Sequence, residues 1–236
     1  MPTTKHAAPV ANRLLAALPT KEYKLLLPEL EQVPLVFGDV LYETGDIIKH
    51  VYFPEDGIIS LLSMVESQKV LEVGIVGKEG MAGLPVVLGV RASLNRGLVQ
   101  SGGTAMKMKA AALRREFKRD GALQRLLHRY LHSLLTQISQ SAVCNRFHTA
   151  EARLARWLLM THDRVNSDEF RLTQEFLSHM LGVRREAVSK AAGELQKRGI
   201  LNYSRGYITI LSRPHLEAMA CQCYRIISVE SDQALD

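Results

Sequence analysis

The chain has 236 residues, 47% of them hydrophobic and 23% charged, with a net charge of +6 and a pI near 9.3. That length leaves room for two ordinary domains, and the composition excludes a disordered, fibrous or low-complexity protein. No segment approaches the roughly 18 apolar residues of a membrane helix, and three cysteines, Cys144, Cys221 and Cys223, form no even-numbered disulfide framework, so a cytoplasmic setting without membrane contact is expected.

The N-terminal run Leu14 to Leu18 follows Asn12 and Arg13 and is closed by Pro19, which makes it too short for a signal peptide. From Val33 to Met108 the pattern is one of short alternating strands: Val33, Leu35 and Phe37, then Val40 to Tyr42, Ile47 to Phe53, Ile58 to Val65 and Val70 to Val76, with Leu98 to Gln100 and Thr104 to Met108 closing the set. Gly38-Asp39, Gly45-Asp46, Asp56-Gly57 and Gly77 to Gly80 are the turn signals between them. Strands of this length and spacing predict an antiparallel barrel or roll. Lys107 to Arg129 then carries eight basic residues against Glu116 and Asp120, a run that fits a solvated helix face, a DNA approach surface or a protein contact.

Leu123, Leu127, Tyr130, Leu134, Ile138 and Ser141 recur at intervals of four, three, four, four and three, the pattern of a coiled-coil-like seam. Such a seam can bury itself on its own roll. A long helix that joins two domains more usually pairs with its twin, so a homodimer is expected.

Thr173 is a good N-cap, and Leu172 precedes it at the spacing of a hydrophobic staple with Leu177. Phe176, Leu177, Met180 and Leu181 give a short apolar face, and Gly182 supplies the freedom to stop and turn. A second helix follows, with Ala187, Val188, Ala191, Ala192 and Leu195 inward and Arg184, Arg185, Glu186, Ser189, Lys190 and Lys197 outward. Beyond Gly199, Ile200 to Tyr203 and Tyr207 to Leu211 flank a Ser204-Arg205-Gly206 turn and predict a two-stranded wing. Between Arg184 and Arg205 six Lys or Arg oppose Glu186 and Glu194. A helix N-terminus offering Arg185, Glu186, Ser189 and Lys190 suits the major groove, where Arg and Lys donate to guanine and Glu accepts from cytosine; Lys197, Arg198 and Arg205 suit phosphates. The expected partner is therefore double-stranded DNA with a two-fold site.

The segment GVRREAVSKAAGELQKRGIL is similar to the helix-turn-helix of the Crp/Fnr superfamily of transcription regulators, and GDVLYETGD is similar to the opening of that family's cyclic-nucleotide-binding roll. Asn145 to Met160, NRFHTAEARLARWLLM, resembles the hinge and first helix of its DNA-binding domain. The resemblance implies an α+β chain in three parts: an N-terminal antiparallel sensor roll with N-terminal helices over 1–120, a dimerisation helix and hinge over 121–148, and a winged helix-turn-helix over 149–236. It also implies base contacts from Arg185 and Glu186. Lys190 stands where the family has a further Arg and lacks that residue's rigid fork, so a different site sequence is expected.

In the family's roll a Gly-Glu pair opens a helix that cradles a phosphate, and a downstream Arg pairs with it. The matching positions are Gly80, Met81 and Ala82, with Arg96 as the arginine and Ser139 near the place where the long helix meets the ligand's base. Met81 replaces the Glu, and a thioether does not accept from ribose hydroxyls, so a cyclic nucleotide is not the expected effector and no cofactor is assigned. Cys221-Gln222-Cys223, joined by a His such as His215, could take a soft metal or oxidise, but two cysteines alone are also ordinary tail packing, and no metal site is assigned. No GxxxxGK loop, serine nucleophile motif or supported acid-base pair is present, so no catalytic residue is expected. The resulting expectation is a homodimeric, sequence-specific transcription regulator gated by an unidentified small effector in a degenerate cyclic-nucleotide-binding-like roll, with RNA polymerase as a further partner; the alternatives are an effector-independent architectural DNA binder and a metal- or redox-gated regulator.

Overall fold

The computed structural model describes residues 10–65, 69–165 and 167–235. Helices α1 (Arg13–Ala16) and α2 (Thr20–Leu26) precede strands β1 (Leu30–Leu35), β2 (Val40–Tyr42), β3 (His50–Pro54), β4 (Ile58–Val65), β5 (Lys69–Val76), β6 (Arg96–Ser101) and β7 (Gly103–Lys109). These strands pair antiparallel in two sheets, β1-β7-β3 and β2-β6-β4-β5. Leu35, Tyr42, Ile59, Val76, Val99 and Ala105, drawn from both sheets, are buried together, so the inward members of the alternating strands form the core of the expected roll.

Helix α3 (Ala110–Phe117) leads to the 26-residue α4 (Ala122–Phe147). Gly121, at the N-cap of α4, has no side chain to cap with. Glu22 from α2 does the work instead, accepting from the amides of Ala122 at 2.9 Å and Leu123 at 3.0 Å. Those two donors hold the Glu22 carboxyl below its ordinary pKa and fix the start of the long helix against the N-terminal segment.

The predicted seam of α4 turns inward. Leu123, Leu127, Tyr130 and Leu134 are buried with Leu14, Leu15, Phe53, Met81 and Leu113 of the same chain, and Ser141 is buried as well. The helix carries a second apolar stripe one step around, Leu131, Leu135, Ile138 and Ala142, of which Leu135 is 53% exposed. The seam expected to meet a twin is thus consumed by the roll, because the roll's open core at Phe53 and Met81 lies within the same chain and needs an apolar lid.

The C-terminal part comprises α5 (Ala150–His162), β8 (Glu169–Arg171), α6 (Gln174–Leu181), α7 (Arg185–Lys197), β9 (Leu201–Ser204), β10 (Tyr207–Ile210), α8 (Arg213–Met219) and α9 (Gln222–Gln233). The expected two-stranded wing is a three-stranded sheet in the order β8-β10-β9. The added strand is three residues long, and only Phe170 of it is buried, too little alternation to register in the sequence.

The C-terminal part packs directly on β5. Trp157 of α5 donates from Nε1 to Glu72 Oε1 at 2.6 Å, and Ser60 Oγ lies 2.7 Å from both Glu72 Oε2 and Gln100 Oε1. One hydroxyl proton cannot serve two acceptors. A neutral Glu72 resolves this by donating to Ser60, which then donates to Gln100. Burial pushes Glu72 up from 4.5 to about 7, in agreement with that arrangement. Because its folded pKa is raised, the native state binds a proton that the unfolded chain has lost, and stability falls as pH rises across that interval. Glu72→Gln keeps an acceptor for Trp157 and a donor for Ser60, so the variant should lose this slope. Thermal midpoints taken from about pH 5 to pH 8 should show wild type falling below the variant, by a difference of at most about 3 kcal/mol at the alkaline end.

Candidate nucleic-acid interface

The reader is built from local rules. Thr173 caps α6 by accepting from the Phe176 amide at 3.1 Å, and Gly182 ends it with φ at +59°, a left-handed conformation that glycine adopts freely. A Cβ at Gly182 would come within 2.6 Å of Leu71 Cδ1, so glycine here serves both the turn and the close approach to β5. Val188, Ala191, Ala192 and Leu195 of α7 are buried against Leu154, Leu158, Leu177 and Leu181, whereas Ala187, expected on the inner face, is only half-buried.

The opposite face of α7 is open. Arg184, Arg185, Glu186, Ser189 and Lys190 are all exposed and occupy the N-cap and first turns of the helix, where the unpaired backbone amides add positive potential. Lys197, Arg198 and Arg205 are exposed too. Lys197 pairs with Glu194 at 3.0 Å, and Arg198 lies 3.3 Å from the Met219 sulfur, so both are tethered at the far end of the helix. Arg205 sits at the tip of the hairpin with φ at +52°, followed by Gly206 at +81°. A turn with two positive φ values favours Asn-Gly; an arginine at its first position carries roughly 1–2 kcal/mol of local strain.

The residues matched to the family's effector site are not gathered into one pocket. Met81 and Ala82 are buried in the roll, and Met81 accepts from the Tyr130 hydroxyl at 3.1 Å through its carbonyl. A Cβ on Gly80 would lie 2.2 Å from the Tyr130 ring, so this α4 side chain packs directly on Gly80. Arg96 pairs with Glu43 at 2.7 Å, and Ser139 is exposed on the side of α4 away from the roll. The reason is the same apolar seam that closes the roll: it brings Tyr130 in and turns Ser139 out. In the basic run from Lys107 to Arg129, Lys107 pairs with Glu31, Arg115 with Glu29 and Glu116, and Arg119 with Glu116.

One cluster was not assembled from the sequence. Cys144 and His148, at the end of α4, meet Cys221 and Cys223 at the start of α9, and the four donor atoms lie within 4.8 Å of one another. His215 is elsewhere, 2.7 Å from Ser212 Oγ. The hydrogen bond with Cys144 draws the Cys221 thiol down to about 5 and pushes Cys144 up. The i, i+4 spacing of Cys144 and His148 on one helix was the available signal.

A family profile described as a Crp-like helix-turn-helix domain matches residues 152–219. No curated protein matches the chain significantly. Among solved structures, FixK2 from Bradyrhizobium japonicum is 17% identical with a TM-score of 0.69, covering 81% of this chain and 98% of its own. The c-di-GMP-responsive global regulator CLP from Xanthomonas campestris is 14% identical at a TM-score of 0.67, covering 82% and 100%. A CRP-family transcriptional regulator from Thermus thermophilus is 17% identical at 0.66, covering 80% and 96%. The open face of α7 lies within the matched domain and is the face that a helix-turn-helix turns to DNA. Residues 152–219 are a Crp-like helix-turn-helix domain, and the roll, the long helix and the reader together have the fold of the Crp/Fnr superfamily regulators. Among the described residues no helix is long and apolar enough to cross a membrane.

Gly193 lies inside α7 with nothing within 4 Å of the Cβ it lacks. Gly193→Ala should therefore stabilise the free protein by about 0.5–1 kcal/mol, raising the thermal midpoint by roughly 1–4 °C; calorimetry on the two proteins checks it.

Proposed function

We propose that the protein is a homodimeric, sequence-specific DNA-binding regulator whose roll serves as a sensing scaffold without a cyclic nucleotide in the usual cassette. The observation that carries this reading is the exposure of Arg184, Arg185, Glu186, Ser189 and Lys190 on one face of α7 while its other face is buried. Arg185 and Glu186 read base edges, Lys190 reads a base or a phosphate, and Lys197, Arg198 and Arg205 touch phosphates. The strain tolerated at Arg205 supports a contact made at the hairpin tip. The filled space at Gly80 and the Met81 substitution support an input other than a cyclic nucleotide held by the phosphate cassette.

Selection from random duplexes should return a two-fold sequence, and Arg185→Ala should relax the preference at one base pair of each half-site, weakening binding by about 1–3 kcal/mol. Uniform, salt-sensitive binding to every duplex would instead mark an architectural binder.

Dimerisation is assigned to the outer face of α4, where Leu135 and Ala142 are exposed and Leu131 and Ile138 lie half-buried at the border with the roll core. Leu135→Glu places a charge in the middle of that face and should yield monomers by light scattering with the fold retained by circular dichroism. A variant that stays dimeric would move the interface elsewhere.

A further inference from the structure

We propose that Cys144, His148, Cys221 and Cys223 bind a single zinc ion, which ties the hinge between α4 and α5 to the C-terminal helix. Cys144 lies in the last turn of α4, His148 is the residue that ends it, Cys221 is the N-cap of α9 and Cys223 lies in its first turn. The pairs come from positions 77 and 75 residues apart, so the fold and not the sequence brings them together.

The geometry is that of one ion. Around a tetrahedral zinc with Zn–S bonds of about 2.3 Å, neighbouring donors are separated by roughly 3.5–3.8 Å. Cys144 Sγ and Cys221 Sγ are 3.5 Å apart, and Cys223 Sγ is 3.6 Å from His148 Nδ1. All four donor atoms fall within 4.8 Å of one another, so a closing of about 1 Å at the widest pair brings the set to tetrahedral separations. Three cysteines and one histidine form a closed, four-donor set, the composition of structural zinc sites, and soft thiolates disfavour magnesium and calcium.

Charge gives a second, independent indication. Three thiolates around Zn²⁺ leave a net charge of −1, and buried charge requires a partner. Arg156 is buried, its Nε has no hydrogen-bond partner among the described residues, and its positive charge acts on Cys144 and Cys223. The buried guanidinium of Arg153, whose Nε is likewise without a partner among the described residues, also acts on Cys144, so an anionic zinc-thiolate cluster would face two buried cations. Zinc binding expels the remaining thiol protons to solvent, and the bond set joins α4, the hinge and α9 in one unit.

The site does not depend on the DNA-binding reading, and its test uses no DNA. The full chain, purified under reducing conditions and stripped by chelator, is titrated with Co²⁺ as a spectroscopic probe and then with Zn²⁺. The expected result is saturation at one Co²⁺ per chain with the visible and thiolate charge-transfer bands of a tetrahedral, sulfur-rich site, displacement by Zn²⁺, and a higher thermal midpoint for the zinc form. His148→Ala and Cys221→Ser, both at half-exposed positions, should lower Zn²⁺ affinity more than ~100-fold, beyond the ~10–100-fold typical for groups that merely support a ligand. The wild-type spectrum and stoichiometry stand even if a variant fails to fold. A reduced wild-type chain that takes up no Co²⁺, an octahedral spectrum, or binding unchanged in both variants would overturn the proposal. So would a Cys144 to Cys221 disulfide in the reduced, metal-competent preparation.

Discussion

Strand β5 is the last member of its sheet, and an uncovered sheet edge is a row of unpaired amides and carbonyls. Here that edge is covered from three directions. Gln137 of α4 uses its amide as one more rung of the ladder, accepting from the Ile75 amide at 2.6 Å and donating to the Ile75 carbonyl at 3.2 Å. Trp157 of α5 holds Glu72, and the turn after α6 rests on Leu71. Because one edge strand receives the long helix, the first helix of the reader domain and the reader's turn, roll and reader share a continuous core that includes Leu62, Trp157 and Leu181. Further in, Arg164 pairs with Glu79 at 2.8 Å, and Phe37 of the roll meets Phe176 and Arg171. A domain boundary drawn through the sequence near position 149 therefore crosses a packed interface.

Helix α4 carries the second constraint. One face closes the roll and the other stays open, and both carry apolar residues. In the sequence these stripes overlap, sharing Ile138 at their border, and both fit a coiled-coil spacing. Periodicity identifies a buried helix but does not say what buries each face. That choice depends on Phe53, Met81 and Leu113, which converge on α4 only after the roll has formed.

Legibility in the sequence followed the range of the interactions. Thr173, Gly182 and the apolar spacing of α7 act within a turn or two, and the reader they predict is present nearly residue for residue. Strand β4 was read at its observed limits, Ile58–Val65, because alternation and flanking turn residues are local as well. The metal-ligand cluster was not legible because half of it lies at the end of α4 and half at the start of α9, and nothing local requires the two to meet. The surroundings of the matched effector residues are hidden from the sequence for a related reason. Their spacing is preserved well enough to be recognised, but whether a pocket exists is decided by Tyr130, which lies 50 residues beyond Gly80 and fills the space beside it.

With that space filled, the contacts on β5 decide how the reader can move. Freeing α5 and α6 from the roll would expose Trp157 and Leu71 surfaces and separate Arg164 from Glu79, leaving a buried charge without its partner. Losses of that kind do not grade smoothly with displacement, because hydrogen bonds and close packing are forfeited within the first ångström or two. The neutral state of Glu72, held between Ser60 and Trp157, belongs to this docked placement of α5 on β5, so the proton on Glu72 and the packing of the reader on the roll are linked.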